Sequence, residues 1–174
     1  ERDGSAARSD CGPHLLFAFD PQLARLLVFA PHIVERRQPS FGERDHLVTL
    51  EEALVDFREL RAGHAGRLLL SAISLDASSD SLLAASRTWE SVTPYQVTRH
   101  ARLGDAAETL IVDIRTECRR RGLPEPFVTP SELRGVSGAG LIGGARLKFD
   151  VAVDGPILLG RSRHTGGGLF ARTV

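Results

Sequence analysis

A chain of 174 residues, 42% apolar and 25% charged, can build one core and is too apolar for wholesale disorder. No apolar run approaches the ~20 residues a membrane helix requires, and residues 1–13 hold no apolar signal segment, so a cytoplasmic protein with no membrane partner is expected. Net charge is zero, yet residues 1–86 carry 9 basic and 13 acidic side chains while residues 87–174 carry 13 and 9, which turns attention to the second half for any anionic partner.

His14 to Phe19 and Ala24 to Ala30 read as two short strands joined through Asp20-Pro21, a hairpin. Pro31 to Asp45 reads as a charged, proline-bearing loop. Thr49-Leu50-Glu51-Glu52 has the form of a capping box, with Leu50, Ala53, Leu54 and Phe57 then recurring at helical spacing and Gly63 offering a stop. Arg67 to Leu75 is a β-rich run, residues 76–86 a serine-rich loop, and Trp89 to Thr98 a strand in which Pro94 favours an edge or a bulge. The strongest helix starts at the cap Asp105, lines Ala107, Leu110, Ile111, Ile114 and Cys118 on one stripe, and ends at Gly122 and Pro124. Phe127 to Leu133 and the alternating Arg146 to Val153 read as strands flanking a flexible glycine-rich loop, Gly135 to Gly144. From Gly155 the chain reads as strand, glycine loop, short strand.

That order predicts an α+β, ferredoxin-like fold: an antiparallel sheet with helices on one face and a C-terminal glycine-rich loop. RNA-binding domains of the RRM type use the same architecture, although no RNP aromatic motif occurs. One domain is expected over residues 1–174, with 1–13 and 76–86 as loop or linker. The absence of methionine, at position 1 included, leads to the expectation that this is a piece of a longer chain.

Cys11 and Cys118 belong to no CxxC pair, and no pair of the six histidines has a zincin spacing, so neither a metal nor a cofactor is expected. Gly138-Ala139-Gly140-Leu141-Ile142-Gly143 matches the dinucleotide fingerprint GxGxxG, but a period-two run follows where the fingerprint requires a helix. Gly160 to Gly168 lacks the Gly-Lys-Ser/Thr of a phosphate-binding Walker loop; its glycines suit either a tight turn or close approach to an anion, with Arg161, Arg163 and His164 adding charge. Arg119, Arg120 and Arg121 suit the negative end of a helix dipole without any ligand. Of the 22 basic residues 21 are arginine, whose planar fork matches phosphate, and Lys148 is the sole lysine.

Three stretches together carry a resemblance: Ser86 to His100 (SRTWESVTPYQVTRH), Glu117 to Pro126 (ECRRRGLPEP), and Phe149 to Gly160 continuing through His164-Thr165-Gly166-Gly167-Gly168-Leu169-Phe170. In order and spacing they resemble the C-terminal half of the type I-U (I-G) CRISPR fusion protein, a repeat-RNA endoribonuclease of the RAMP superfamily. Gly12-Pro13-His14-Leu15-Leu16-Phe17 is similar to that family's histidine-bearing strand. Leu16 stands where another histidine is common, and the lysine-containing run usual after Arg99-His100 is reduced to Ala101-Arg102-Leu103.

The resemblance implies metal-independent cleavage of precursor CRISPR RNA within its repeats, leaving a 2′,3′-cyclic phosphate, with the 3′ repeat hairpin retained in a type I effector complex. It implies His14 and His100 as catalytic candidates. Arg99, Arg102, Lys148, Arg161, Arg163, His164, Gly166, Gly167 and Gly168 become candidates for RNA contact. The implied partners are CRISPR RNA and other subunits of the complex. The alternative is a subunit that holds CRISPR RNA without cutting it.

Overall fold

The computed structural model describes residues 15–98, 105–136 and 140–173. The described residues open on the expected hairpin, β1 (Leu16–Asp20) paired antiparallel with β2 (Arg25–Phe29). Period-two alternation sends Leu16, Ala18, Leu27 and Phe29 inward and leaves Phe17 and Phe19 outside. The inward row ends in charge rather than hydrocarbon. Buried Arg25 donates to Asp20 at 2.9 Å and, through both terminal nitrogens, to Asp80. Asp80 in turn accepts the Leu82 amide at 2.8 Å. The loop at residues 76–86 is thereby pinned to the hairpin, with Leu82 and Ala84 buried.

Residues 31–45 are not a loop. A single turn, α1 (Pro31–Val34), precedes α2 (Phe41–Val55), which starts at a capping box upstream of the expected one. Ser40 accepts the Glu43 amide at 3.3 Å and Glu43 accepts the Ser40 amide at 2.7 Å. Thr49-Leu-Glu-Glu52 fits the same pattern, but Arg37 grips the Glu43 carboxylate at 2.6 and 2.7 Å and so favours the first box. The predicted stripe of Leu50, Ala53, Leu54 and Phe57 meets no core, because α2 buries only Glu43. β3 (Glu59–Arg61) and β4 (Arg67–Leu69) pair with each other alone, around a 3-10 turn at Gly63–Ala65. Hence the first helix and the Arg67 strand of the expected pattern stay outside the main sheet.

The main sheet belongs to the second half. Its strands are β5 (Ser86–Ser91), β6 (Tyr95–Gln96), β7 (Phe127–Val136), β8 (Gly140–Val153), β9 (Ile157–Leu158) and β10 (Leu169–Arg172). β8 carries β7 on one edge and β5 followed by β6 on the other; β10 then pairs with β5, and β9 with β10, all antiparallel. Pro94 sits in the break between β5 and β6, where no ladder bond is lost. Within the Gly135 to Gly144 segment the described residues, 135–136 and 140–144, are strand, not loop. A Cβ on Gly143 or Gly144 would lie 2.7 Å from Leu133 or 2.6 Å from Ser131, so glycine lets β7 and β8 close up. No helix follows Gly143, which removes the geometry a dinucleotide would need.

Between β6 and β7 runs α3 (Ala106–Arg120), so that β5, α3 and β7 form a crossover with β8 inserted between its two strands. Asp105 caps α3 by accepting the Glu108 amide at 3.0 Å. Its end is closed by Gly122, at φ 68°: the Gly122 amide reaches Arg119 O at 3.2 Å and the Leu123 amide reaches Cys118 O at 3.0 Å. Leu110, Ile114 and Cys118 pack on Trp89, Leu147, Phe149 and Phe170 to form the larger core. The opposite sheet face, through Leu158, Leu169 and Ala171, receives the β1–β2 hairpin. Beyond that hairpin the same face shows, among the described residues, the exposed side chains of Glu90, Arg146, Lys148 and Phe127, and α2 does not pack on it. The architecture is mixed α+β around an antiparallel sheet. Among the described residues no helix is long and apolar enough to cross a membrane.

Candidate functional site

The C-terminal end of α3, the loop after β9 and the turn between α1 and α2 meet around a cavity of about 590 Å³. Its walls are Arg37, Arg120, Arg121, Arg161, Arg163, Thr98, Glu35 and Glu117. Five guanidinium groups against two carboxylates leave a formal charge of +3.

The end of α3 splits three consecutive arginines among three tasks. Arg119 points outward to Glu125 at 3.1 Å. Arg120 reaches Glu117 at 3.1 Å and lines the cavity. Arg121 folds back, donating to the Glu117 carbonyl at 2.9 Å and pairing with its carboxylate at 2.9 Å. The interaction with the last-turn carbonyl is the dipole-complementing role expected of these arginines, and the inward turn adds a wall to the cavity. Glu117 also accepts the Gly160 amide at 3.4 Å, tying the glycine loop to the helix.

That loop needs its glycines for packing. Gly160 is at φ 92°, and a Cβ there would stand 2.6 Å from Gln96 O. On Gly168, at φ 65°, it would stand 1.9 Å from Leu159 O, and on Gly167 2.0 Å from the Ser162 hydroxyl. Gly166, also at positive φ, lies against the β1 backbone. The Gly167 and Gly168 amides donate to Ser162 O and Pro94 O at 3.0 and 2.9 Å. The Gly167 and Gly168 amides are thus engaged inside the chain, as in the tight-turn alternative.

Of the other expected RNA contacts, Arg161 and Arg163 line the cavity, whereas His164 is exposed on a 3-10 turn, Arg163–Thr165. Lys148 stands on the open sheet face, exposed between Leu147 and Phe149, whose side chains face α3, so it does not join the arginines. His14, Arg99, His100 and Arg102 lie outside the described residues. Thr98, which precedes Arg99, is a cavity wall, held by Asp113 on α3 through its amide and hydroxyl at 2.7 Å each.

The cavity arginines are not equally available. Arg37 is saturated by Glu35 at 2.8 Å and by both oxygens of Glu43. Its guanidinium, with the Ser40 amide, holds the Glu43 carboxyl down to about 2. Among the described residues Arg163 makes one long bond, to Gly160 O at 3.4 Å, and its buried Nε finds no acceptor; the same holds for the Arg121 Nε. Burial lowers the Arg163 pKa, and the nearby Arg121 charge lowers it further. Sequence reasoning missed Arg37, Glu35 and Glu117. For Glu117 a signal existed, since it precedes Arg120 and Arg121 by three and four residues on a helix. For Arg37 none did.

No family model, no curated protein and no solved structure matches this chain.

Proposed function

We propose that this chain is the RNA-processing domain of a CRISPR repeat-RNA endoribonuclease of the RAMP type, built on a ferredoxin-like sheet and acting in the cytoplasm. The observation that carries this reading is the convergence of Arg161 and Arg163, from the glycine loop, with Arg120 and Arg121, from the end of α3, on one +3 cavity. Both groups come from the stretches that resemble the family. The strand order β7-β8-β5-β10 around the α3 crossover also supports a ferredoxin-like reading, although a short strand and a 3-10 turn stand where the pattern has its second helix.

In this chemistry the ribose 2′-OH attacks the adjacent phosphorus and the P–O5′ bond breaks. One histidine takes the 2′-OH proton and another group returns a proton to the leaving 5′-oxygen. Products are a 2′,3′-cyclic phosphate and a 5′-OH end. His14 and His100 are the candidates for proton transfer, and the cavity arginines for phosphorane charge. Incubation with repeat RNA in EDTA tests the reading: cleavage with a cyclic-phosphate product is expected, falling at least ~100-fold in His14→Ala or His100→Ala. Full activity in the double variant would remove both assignments.

A second reading, a subunit that holds CRISPR RNA inside an effector complex without cutting it, is favoured by one observation. The cavity wall, among the described residues, holds arginine, glutamate and threonine but no imidazole. Strongly salt-dependent binding with no cyclic-phosphate product would select it.

A further inference from the structure

The β3–β4 pair stands apart from the main sheet, and two strands alone are marginal in water. From Leu68 to Leu75 the chain reads LLLSAISL, with no charge, no proline and no glycine. Leu70 is half-buried and every other residue of the run is exposed, Leu69 at 83% and Ile73 at 59%. The Leu70 amide donates to Arg58 O at 2.8 Å, which turns the backbone groups of Leu68 and Leu70 toward β3 and those of Leu69 and Ser71 outward. Among the described residues the backbone of 71–75 makes no hydrogen bond. An uncharged, apolar strand edge with free amides is a template for another strand. The outer edges of the main sheet, by contrast, are blunted. β7 carries Pro130 and a bulge between Ser131 and Arg134, with Glu132 at φ 49°, and β9 is only Ile157–Leu158, directly after Pro156.

We propose that residues 67–75 pair antiparallel with the same residues of a second copy of this chain, across a two-fold axis at Ser71. In that register Leu69 of each copy faces Ile73 of the other, and the outward amides of Leu69, Ser71 and Ile73 gain acceptors. The charges that bound the run choose the direction, since Arg67 precedes it and Asp76 follows it. Antiparallel pairing brings the Arg67 end of one copy to the Asp76 end of the other. Parallel pairing would set Arg67 beside Arg67 and Asp76 beside Asp76. The two β3–β4 pairs then form one sheet of four strands, and three or more are what independent stability requires. None of these residues lines the arginine cavity, so the pairing stands apart from the proposed RNA role.

Sedimentation velocity of the whole chain over a range of concentrations tests this. A monomer–dimer equilibrium is expected, concentration-dependent because one strand pair is a small interface. Ser71→Pro removes the outward amide at the axis without touching the β3–β4 ladder, and should raise the dimer dissociation constant at least ~10-fold. Ser71→Ala should leave it unchanged. If Ser71→Pro does not fold, as the fluorescence of buried Trp89 would report, Ile73→Lys at an exposed side chain makes the same comparison. In a Cys11→Ser background, Ser71→Cys should give a covalent dimer in oxidised glutathione, because residue 71 meets its own copy; a dimer that does not cross-link would overturn the axis at Ser71. A monomer at every concentration, a series of species beyond the dimer, or a dimer as tight in Ser71→Pro and Ile73→Lys as in the parent would overturn the proposal.

Discussion

Asp113 offers the sharpest measure of what joins α3 to the strand that enters the cavity. It is 5% exposed and, among the described residues, accepts three hydrogen bonds: from the Tyr95 hydroxyl at 2.6 Å, the Thr98 amide at 2.7 Å and the Thr98 hydroxyl at 2.7 Å. Burial, then the Asp113 charge, pushes the Tyr95 pKa well above the ordinary phenol range, so the phenol remains a donor. Asp113→Ala leaves the buried Tyr95 hydroxyl and the Thr98 amide without their acceptor. Hydrogen bonds to a charged group contribute ~1.5–3 kcal/mol each. Because the three share one carboxylate they do not add fully, and a combined loss of about 3–5 kcal/mol follows. Set against a domain stability of ~5–15 kcal/mol, that is a large share. The sole tryptophan, Trp89, is fully buried in the same core, so urea unfolding followed by its fluorescence reports the loss directly. Asp113→Asn keeps a carbonyl oxygen for Tyr95 and the Thr98 amide, and should lose no more than ~1–2 kcal/mol. An Asp113→Ala midpoint equivalent to less than ~1 kcal/mol would refute the claim that this carboxylate holds Thr98 at the cavity.

Gly168→Ala combines a left-handed backbone with a Cβ 1.9 Å from Leu159 O, and should cost ~2 kcal/mol or more. Gly42→Ala, in α2 with open space around it, should instead add ~0.5–1 kcal/mol; paired denaturation curves check both. Arg25→Ala strands buried Asp20 and Asp80 and should cost ~3–5 kcal/mol, with the Arg25→Ala/Asp80→Ala double variant losing less than the sum in a double-mutant cycle. The Cys118 thiol is fully buried and its pKa is pushed up to about 12, so alkylation at pH 8 should miss it in the native protein and reach it in urea, as peptide mass spectrometry would show. For Glu43 the folded pKa of about 2 lies below the ordinary 4.5, so its support of the α2 start is full above pH 4.5 and is lost as pH falls toward 2. NMR titration should find that midpoint, and Arg37→Ala should return it toward 4.5.

How much the residue order could say varied with the range of the interactions involved. The β1–β2 hairpin, the Asp105 cap, the Gly122 stop and the Pro94 break were legible because each depends on residues a few positions apart. The start of α2 was misplaced because two capping boxes compete within ten residues, and the tie is broken by Arg37, which lies before both. The glycine run at Gly140 to Gly144 was misread as a loop because its need for glycine comes from Ser131 and Leu133 on the facing strand.

The sequence by itself determined where the backbone turns and which face of α3 is apolar, since capping, glycine stops and helical periodicity are local energies. Only the tertiary structure decided that α2 would stay off the core, because that depends on α3 and the β1–β2 hairpin having already covered the apolar sheet faces. The tertiary structure also decided that Arg121 and Arg163, 42 positions apart in the chain, would share a cavity with too few carboxylates to neutralise them. Charge balance in a cavity is a sum over every element that lines it, and no stretch of sequence holds that sum.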